Sequence, residues 1–443
     1  MKKIKNKKIR NILLAKTVIV LLLLAILANC YKADTIYKGS IIVEQLELFS
    51  EKQEYFKLRD FYIKNRELLQ RKDKLYFSAI INNVFNMAYE SNLDIDKLLK
   101  SSINSLSNKK ANKLYLIKLL NHVNLYEYSK AEQSSAYILQ HFRDLNKDSK
   151  IEDLENEIKI WRALSPVGKQ EVIKTQDTTI PMVKDKVGLF NVNVNFGKLT
   201  KQFLFDTGAN FSVITQSLVK ELGLKCIEAD FYVTAATGAK VKSGIAIAEE
   251  LKLQNIVFKN VVFLVFDDKD LAFPQAEYYP NGALGYPLLE AMDELRISQD
   301  NYIFTPKTPT VYNYNNFALD GLMPIVAVEY DNDFLNFHLD TGATSTTLFP
   351  QFLNDYQKEI ESKFSVKKFK SASAGGAIEY AGYLIDTLPL KIADSQVDLK
   401  DITLHINDIG DSKSNFHGNL GQDYIKSFNL LILSFKYSSV LFE

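Results

Sequence analysis

The sequence predicts an α+β protein of several domains, in which an all-helical N-terminal part precedes a mainly β C-terminal part. All ten prolines and seventeen of the eighteen glycines among the 443 residues lie at or beyond Pro166. Because Pro and Gly interrupt helices and mark turns, the chain before Pro166 can form long helices and the chain after it is rich in turns. In the second part, an apolar run that ends in Asp-Thr-Gly occurs twice, as expected for a strand that leads into a tight turn.

Residues 1–29 have the pattern of a secretory signal. A basic start precedes an apolar run over 17–28, which ends in small residues just before Cys30. The run is short for a membrane span. Residues 27–30, Leu-Ala-Asn-Cys, resemble a bacterial lipobox, which implies a lipid on Cys30 and a location in the bacterial cell envelope, facing the periplasm or the cell surface. Asn29 stands where a lipobox has Gly, Ala or Ser, so a tilted membrane anchor is the alternative.

Residues 30–170 are predicted to form an all-helical domain of six or seven helices. Apolar residues recur at helical spacing in several windows, such as 77–85 and 151–161, and short polar breaks separate these windows. Stacked antiparallel pairs would resemble a tetratricopeptide-type repeat, and a plain helical bundle is the alternative. A groove for a protein partner and a spacer from the membrane are both open as functions of this domain. The polar stretch 165–180 is predicted to be the linker to the β part.

The β part contains an internal duplication. Residues 203–209 (FLFDTGA) match residues 337–343 (FHLDTGA), so Asp206 and Asp340 lie 134 residues apart. A Gly-x-Leu-Gly sequence ends 79 residues after the first aspartate and 81 residues after the second. In both copies an amphipathic segment and a final strand-like run follow. Order, spacing and chemistry recur together, which indicates a duplicated unit of about 130 residues. The copies are expected at 180–310 and 318–443.

The order of these elements resembles the retropepsin-like aspartic peptidases, whose two-lobed relatives include pepsin. The resemblance covers about residues 180–443 and implies two β lobes in one chain, each supplying one catalytic aspartate, Asp206 and Asp340. It also implies that six neighbouring residues support the active-site loops, namely Thr207, Gly208, Ala209, Thr341, Gly342 and Ala343. Ser212 and Thr346, six residues after each aspartate, resemble the hydroxyl residues that brace these loops in the family.

A pair of aspartates suits the hydrolysis of an amide by water. One carboxylate takes a proton from water and the other supplies a proton, and two carboxylates about 3 Å apart share one proton because they cannot both ionise comfortably. Each Gly lets the backbone turn beside its aspartate, and each Thr hydroxyl can tie its loop to the opposite lobe. Because Ala209 and Ala343 offer no hydroxyl to the ionised pair, we expect a working pH nearer to neutral than in a Ser or Thr version.

Each copy has a candidate flap hairpin between its aspartate and its Gly-x-Leu-Gly sequence. Small residues surround Thr237 and Gly238 in the first copy and Gly375 and Gly376 in the second. Such tips permit a mobile lid over a cleft, and they equally permit plain surface hairpins. Tyr380 follows the second tip, where it can hydrogen-bond a substrate or simply lie exposed.

Other kinds of site find little support. The five histidines are scattered without metal-ligand spacing, so we expect neither a metal site nor an organic cofactor, and His338 is expected to have a packing role. Cys226 is the only cysteine besides Cys30, and we expect it to be a small buried side chain. A net charge of +1 argues mildly against a nucleic-acid surface.

The sequence therefore predicts a lipid-anchored aspartic endopeptidase that hydrolyses peptide bonds with water activated between Asp206 and Asp340. Its expected partners are a peptide or protein substrate, the membrane through the N-terminal lipid, and a protein that binds the helical domain. The alternative is a non-catalytic lipoprotein that binds a peptide or envelope ligand on the same fold. We expect a monomer, because the near-equal spacing in the two copies makes pairing of the aspartate loops within one chain simpler than pairing between chains.

Overall fold

The computed structural model describes residues 38–102, 106–235, 237–373, 376–409 and 415–443. The expected signal, the candidate lipidation site Cys30 and the flap residue Gly375 lie outside the described residues. A helical region followed by a β-rich region with two sheets confirms the predicted α+β class. Contacts between residues divide the chain into two compact units, with the boundary after Phe77.

Seven α-helices lie within the described part of the helical region, in agreement with the six or seven that the apolar spacing predicts. Helix α1 covers 38–51. The others are α2 (Tyr55–Asn65), α3 (Arg71–Val84), α4 (Ala88–Ser102), α5 (Asn108–Asn124), α6 (Tyr128–His141) and α7 (Asp148–Leu164). Single-turn 3-10 segments follow α2 at Arg66–Leu68 and α6 at Arg143–Leu145. None of the described helices is both long enough and apolar enough to cross a membrane.

The first unit contains α1, α2 and the start of α3. Leu46 and Leu58 are fully buried, and the rings of Phe49 and Phe61 meet edge to face at 5.7 Å. In each helix the Leu and the Phe are three positions apart, a spacing that places both side chains on one helix face. The amphipathic pattern in the sequence therefore becomes the packing of these helices.

In the second unit, α4 contacts α5, α5 contacts α6, and α6 contacts α7, in chain order. A buried polar network joins the end of α3 to α4 and α5. Asn83 Nδ2 donates to Asn121 Oδ1 at 2.8 Å, and Asn121 Nδ2 donates to Ser91 Oγ at 2.8 Å and to Asn92 Oδ1 at 2.9 Å. Because a buried amide costs free energy when it lacks partners, this network fixes the register of the three helices.

The β-rich region begins with eleven strands and three short helices. The strands are β1 (Glu171–Ile173), β2 (Thr178–Lys184), β3 (Phe190–Asn195), β4 (Thr200–Phe205), β5 (Ser212–Thr215), β6 (Lys225–Thr234), β7 (Lys240–Leu253), β8 (Ile256–Phe266), β9 (Gly282–Leu284), β10 (Glu294–Ser298) and β11 (Tyr302–Thr305). The helices are α8 (Gln216–Leu222), α9 (Asp268–Leu271) and α10 (Tyr286–Glu290), and a 3-10 turn covers Pro274–Ala276. We call residues 178–305 the first β region.

The remaining strands form the second β region, residues 317–442. They are β12 (Phe317–Asp320), β13 (Met323–Tyr330), β14 (Asp333–Leu339), β15 (Thr347–Leu348), β16 (Lys367–Ser373), β17 (Gly376–Ile392), β18 (Ser395–His405), β19 (Gly418–Leu420), β20 (Leu430–Ser434) and β21 (Ser439–Phe442). Two helices accompany them, α11 (Pro350–Lys363) and α12 (Gln422–Ile425).

The same strand pattern occurs in both β regions. In the first, β9 pairs in parallel with β4 and antiparallel with β5, and β5 pairs in parallel with β8. In the second, β19 pairs in parallel with β14 and antiparallel with β15, and β15 pairs in parallel with β18. The Asp-Thr-Gly sequences follow β4 and β14. The duplication in the sequence is therefore also a duplication of strand order.

One sheet runs through both β regions. Its order is β21-β20-β10-β11-β2-β3-β4-β9-β5-β8-β7-β6, and the pairing of β10 with β20 is the point where the regions join. Beside this pairing, the fully buried Glu294 accepts hydrogen bonds from Arg296 Nε at 2.8 Å, Tyr312 OH at 3.0 Å and the Thr310 N–H at 2.6 Å. A second sheet has the order β12-β13-β14-β19-β15-β18-β17-β16.

The helices of the second unit contact the first β region at α10. Tyr126 OH donates to the Pro287 carbonyl oxygen at 2.9 Å, and Asn86 Nδ2 donates to Glu290 Oε1 at 3.1 Å. Burial raises the pKa of the Glu290 carboxyl above its ordinary value. Because α10 follows the first Gly-x-Leu-Gly sequence, these contacts attach the helical region close to the candidate site.

Two local expectations from the sequence are wrong. The stretch 165–180, expected to be a linker, contains β1, which pairs antiparallel with β8. Only Val172 of this three-residue strand is partly buried, so its sequence carries too little alternation to reveal it. Cys226, expected to be buried, is exposed on β6, which is the edge strand of its sheet.

Candidate active site

Asp206 and Asp340 lie in equivalent turns, each at the end of a strand of the duplicated pattern. The Gly208 N–H donates to Asp206 Oδ1 at 2.8 Å, and the Gly342 N–H donates to Asp340 Oδ1 at 2.8 Å. Each turn thus orients its carboxylate through the glycine two residues further along the chain, as expected for an Asp that accepts from its own turn.

Each carboxyl group also packs on the glycine of the opposite turn. A Cβ atom at Gly208 would lie 2.5 Å from Asp340 Oδ1, and a Cβ atom at Gly342 would lie 2.5 Å from Asp206 Cγ. Real Cβ atoms do not approach other atoms so closely, so both positions require glycine for reasons of space. The structure therefore brings the two sequence-predicted aspartates together within one chain.

The threonines of the two turns bind each other's backbone. The Thr207 N–H donates to Thr341 Oγ1 at 3.0 Å, and the Thr341 N–H donates to Thr207 Oγ1 at 3.0 Å. In turn, the Thr207 hydroxyl donates to the Leu339 carbonyl oxygen and the Thr341 hydroxyl donates to the Phe205 carbonyl oxygen, both at 2.7 Å. Both threonines are fully buried. These four hydrogen bonds fix the distance between the two aspartates.

The two carboxyl groups differ in the hydrogen bonds that stabilise their ionised forms. Burial and the nearby charge of Asp340 raise the pKa of Asp206 well above its ordinary value. Burial also raises the pKa of Asp340, but the Asn419 side chain and the Gly342 N–H oppose this rise by donating hydrogen bonds to the carboxylate. Two carboxyl groups in such contact hold one proton between them. The hydrogen bond from Asn419 Nδ2 to Asp340 Oδ2 favours the negative charge on Asp340, and with it the shared proton on Asp206.

Asn419 creates this asymmetry, and sequence reasoning missed it. Its Nδ2 atom donates to Asp340 Oδ2 at 3.0 Å. The equivalent residue of the first copy is Ala283, which has no side-chain donor. The sequence contains a signal for this role, because the two copies differ in polarity at the variable position of the Gly-x-Leu-Gly sequence.

The predicted bracing hydroxyls contact the Gly-x-Leu-Gly sequences. Ser212 Oγ accepts from the Gly285 N–H at 3.0 Å, and Thr346 Oγ1 accepts from the Gly421 N–H at 3.1 Å. The Thr346 hydroxyl also donates to Asp423 Oδ1 at 2.7 Å. Each aspartate turn is therefore tied to the strand pair behind it.

His338 lies on β14 near Asp340, and its contacts are those of a packed side chain. Its ring is 4.7 Å from the Phe416 ring and 5.8 Å from the Phe349 ring. Burial lowers the pKa of His338 to about 4, so the imidazole is neutral at physiological pH. This environment agrees with the packing role expected for His338.

The candidate flap residues lie at the tips of two hairpins. Gly238 has a φ of +80° in the tip between β6 and β7, and Gly376 has a φ of +130° where β17 begins. Thr237 is buried in the first tip. Tyr380 is not simply exposed, because its ring stacks at 5.7 Å on Phe369 and approaches His405 at 4.1 Å. Two aromatic neighbours, Phe369 and His405, thus pack against the Tyr380 ring.

Within the described ranges of the chain, no group of three or more His, Cys, Asp or Glu side chains is arranged to hold a metal ion. The candidate site itself contributes two carboxylates, the amide of Asn419 and the buried threonine pair. The two carboxyl groups can exchange protons with a bound water molecule and with a substrate.

Comparison with known proteins supports an aspartic-protease-like fold. A family model described as "Aspartyl protease" matches residues 190–288, which include Asp206 and the first Gly-x-Leu-Gly sequence. No curated protein sequence matches the chain significantly.

Solved structures match the chain at low identity and low TM-score. Basic 7S globulin from soybean matches with 11% identity and a TM-score of 0.37, covering 61% of this chain and 95% of the globulin. Conglutin gamma, a basic 7S globulin from lupine seeds, matches with 10% identity and a TM-score of 0.37, covering 60% and 94%. A retropepsin-like aspartic protease from Rickettsia conorii matches with 21% identity and a TM-score of 0.22, covering 30% of this chain and 99% of that protease.

Proposed function

We propose that the protein is an aspartic endopeptidase in which Asp206 and Asp340 activate a water molecule to hydrolyse a peptide bond. The observation that carries this proposal is the contact between the two carboxyl groups, held in place by the reciprocal hydrogen bonds of Thr207 and Thr341. The family-model match over 190–288 supports the same activity for the first β region.

The unequal carboxyl groups assign a role to each aspartate. Asp340, which carries the negative charge, takes a proton from water as the water oxygen attacks the carbonyl carbon of the substrate. Asp206, which holds the shared proton, donates it to the carbonyl oxygen. When the tetrahedral intermediate breaks down, Asp340 gives its proton to the leaving nitrogen and Asp206 takes a proton back from the hydroxyl. The pair then holds one proton again, ready for the next substrate.

The direct test is cleavage of an unbiased peptide pool by the full chain, purified in detergent, across pH 4 to 8. We expect Asp206→Asn and Asp340→Asn each to lower the rate by at least about 10²-fold, because each removes one partner of the acid–base pair. The matched control is Asp386→Asn on β17, where the carboxylate is exposed and lies outside the site. This variant should keep the wild-type rate.

A folded wild-type chain that cuts no peptide at any of these pH values would overturn the proposal. Tight binding of a peptide without cutting would then favour a non-catalytic lipoprotein that binds a peptide or envelope ligand. Equal rates in wild type and both active-site variants would point to a contaminating peptidase and would also overturn it.

We further propose that the protein is a bacterial lipoprotein, anchored in the cell envelope through Cys30 and active as a monomer. The lipobox-like residues 27–30 support the anchor, and the meeting of both aspartates within one chain supports the monomer. Incorporation of a labelled fatty acid into the wild-type chain, and its loss in Cys30→Ala, would test the anchor. Labelling that persists in Cys30→Ala would contradict it.

A further inference from the structure

Helix α7 contacts the hairpin formed by β6 and β7, whose tip carries Thr237 and Gly238. The hairpin tip closes with hydrogen bonds from the Ala235 N–H to the Ala239 oxygen at 2.9 Å and from the Gly238 N–H to the Ala235 oxygen at 2.8 Å. Among the described residues, β6 is the last strand of its sheet, so one edge of its backbone has no neighbouring strand there. Part of that open edge faces α7.

Asn156 of α7 pairs with the backbone of β6 as a strand would. Its Nδ2 atom donates to the Tyr232 carbonyl oxygen at 2.7 Å, and its Oδ1 atom accepts from the Tyr232 N–H at 3.0 Å. Asn156 itself is only 7% exposed. Hydrogen bonds that are shielded from water are the ones whose loss is costly, so this two-point contact restrains the strand edge.

Glu152 lies one helical turn before Asn156 and binds both strands of the hairpin. Its Oε1 atom accepts from Tyr232 OH on β6 at 3.0 Å and forms an ion pair with Lys240 at the start of β7. The Lys240 ammonium also lies 4.6 Å from the centre of the Tyr232 ring. Because residues four apart share one helix face, Glu152 and Asn156 form a single contact surface on α7.

The same helix also contacts the loop that carries Asp206. The Trp161 ring lies 6.2 Å from the Phe211 ring, and it also stacks with Tyr128 of α6 at 6.3 Å. Helix α7 therefore contacts two elements of the first β region, the aspartate loop and the hairpin tip strands. A rigid helix that binds both fixes the hairpin relative to the aspartate.

The second hairpin, formed by β16 and β17, carries lysines on its edge strand. Strand β16 is the last strand of the second sheet and carries Lys367, Lys368 and Lys370, of which Lys370 pairs with Glu379 of β17 at 3.2 Å. Lysines on an open edge protect it from pairing without restraining it. Among the described residues, α7 binds the β6–β7 hairpin through Asn156 and Glu152, whereas the Lys370–Glu379 ion pair lies within the β16–β17 hairpin itself.

We propose that α7 holds the β6–β7 hairpin as a fixed wall of the substrate cleft, with Asn156 and Glu152 as positioning residues. The part of the inference that concerns substrate rests on the proposed peptidase function. The helical region is then a working part of the catalytic unit. The peptide substrate class stays the same, but its binding depends on residues outside the β regions.

The test combines hydrogen exchange with kinetics on the full chain. Asn156→Ala removes both hydrogen bonds to Tyr232, and we expect exchange of the backbone amides over 233–241 to rise about tenfold, because these amides are protected by the hairpin and not by Asn156 directly. Exchange over β2 to β4 should not change. Glu155→Gln is the control for a change on the same helix, since it removes an ion pair with Arg143, about as exposed as the Glu152–Lys240 pair, that involves no residue of the hairpin.

A second variant protects the test against a folding failure of Asn156→Ala. The double variant Glu152→Gln/Tyr232→Phe removes exposed contacts and leaves Asn156 in place, and we expect a smaller rise in exchange over the same amides. In either variant KM should rise several-fold while kcat stays within about twofold, because the aspartate pair is unchanged.

Each outcome decides a separate point. If both variants fold and hydrogen exchange of the hairpin amides is unchanged, the proposal that α7 restrains the hairpin is wrong. A loosened hairpin with unchanged KM would overturn its role as a wall of the cleft. A wild-type chain that cuts no peptide would refute the proposed function, and the exchange data would still decide whether α7 restrains the hairpin.

Discussion

Thr207 and Thr341 exchange backbone-to-hydroxyl hydrogen bonds at 3.0 Å across the two β regions. Neither turn can therefore adopt its bonded geometry without the other. The separation of Asp206 and Asp340 is set by this exchange, so the support of the site and the stability of the junction between the β regions are linked.

Removal of the Thr341 hydroxyl should weaken both the support of the aspartate pair and the stability of the junction between the β regions. Thr341→Val keeps the shape of the side chain but leaves the buried Thr207 N–H and the Phe205 carbonyl oxygen without their partner. We expect a loss of about 1–3 kcal/mol in the free energy of unfolding for each buried group left unpaired. Urea unfolding measures the loss, and Thr341→Ser, which keeps the hydroxyl, should recover most of it. Equal stability of the Val variant and the wild type would contradict this account.

A methyl group at Gly342 should damage the site without unfolding the protein. Gly342→Ala would place a Cβ atom 2.5 Å from Asp206 Cγ and force the carboxyl groups apart. We expect kcat to fall by about 10²-fold, since misplacement of a catalytic group by 1 Å can have that effect. Gly244→Ala is the control, because its Cβ atom would lie 3.6 Å from Val265 Cβ, an ordinary contact. Similar activity in the two variants would refute the close approach.

Loss of the Asn419 side chain should move the acid side of the pH profile. Asn419→Ala gives the second copy the residue of the first, and without the donor at 3.0 Å the pKa of Asp340 rises further. Asp340 must be ionised to act as the base, so the acid limb of kcat/KM moves to higher pH. On this limb we expect kcat/KM at a given pH to fall about fivefold, which is the factor that corresponds to the loss of a hydrogen bond of about 1 kcal/mol. Asn281→Ala, which removes a bond to Gln202, should leave the profile unchanged.

Glu290 should make stability depend on pH. Burial raises its pKa in the folded protein, so its favourable contribution is complete below its ordinary pKa of 4.5 and is lost as the pH rises through the folded value. Glu290→Gln keeps an acceptor for Asn86 and removes this loss. We therefore expect the variant to gain stability relative to wild type from pH 4 to pH 8, by on the order of 1 kcal/mol. Calorimetry at both pH values tests this, and a constant difference would rule it out.

The sequence was most informative where one segment alone decides the structure. Apolar spacing predicted the helices, and the repeated Asp-Thr-Gly and Gly-x-Leu-Gly sequences predicted the duplicated strand order, because period and turn residues are local properties. The meeting of Asp206 and Asp340 followed from the same repetition. The assignment of the aspartates as catalytic remains a prediction until activity is measured.

Contacts between distant segments were not predictable in this way. Asn156 and Tyr232 are 76 residues apart, and neither residue carries a pattern that names the other. Asn419 binds Asp340 across 79 residues, and its role depends on which face of β19 meets the aspartate turn. Strand β1 has three residues, too few for a periodic signal, and Cys226 lies exposed on β6, whose place at the end of the sheet depends on the order of distant strands. These features depend on tertiary packing.

The pairing of β10 with β20 has a consequence for the order of synthesis. Ribosomes make Asp206 and the strand β10 long before β20, which begins at Leu430. A nascent chain that stops at residue 425 already contains both aspartates but lacks the strand that joins the two β regions. The shared sheet is complete only once nearly the whole chain has emerged. An unfinished chain therefore contains both aspartates before it contains the strand that joins the two β regions.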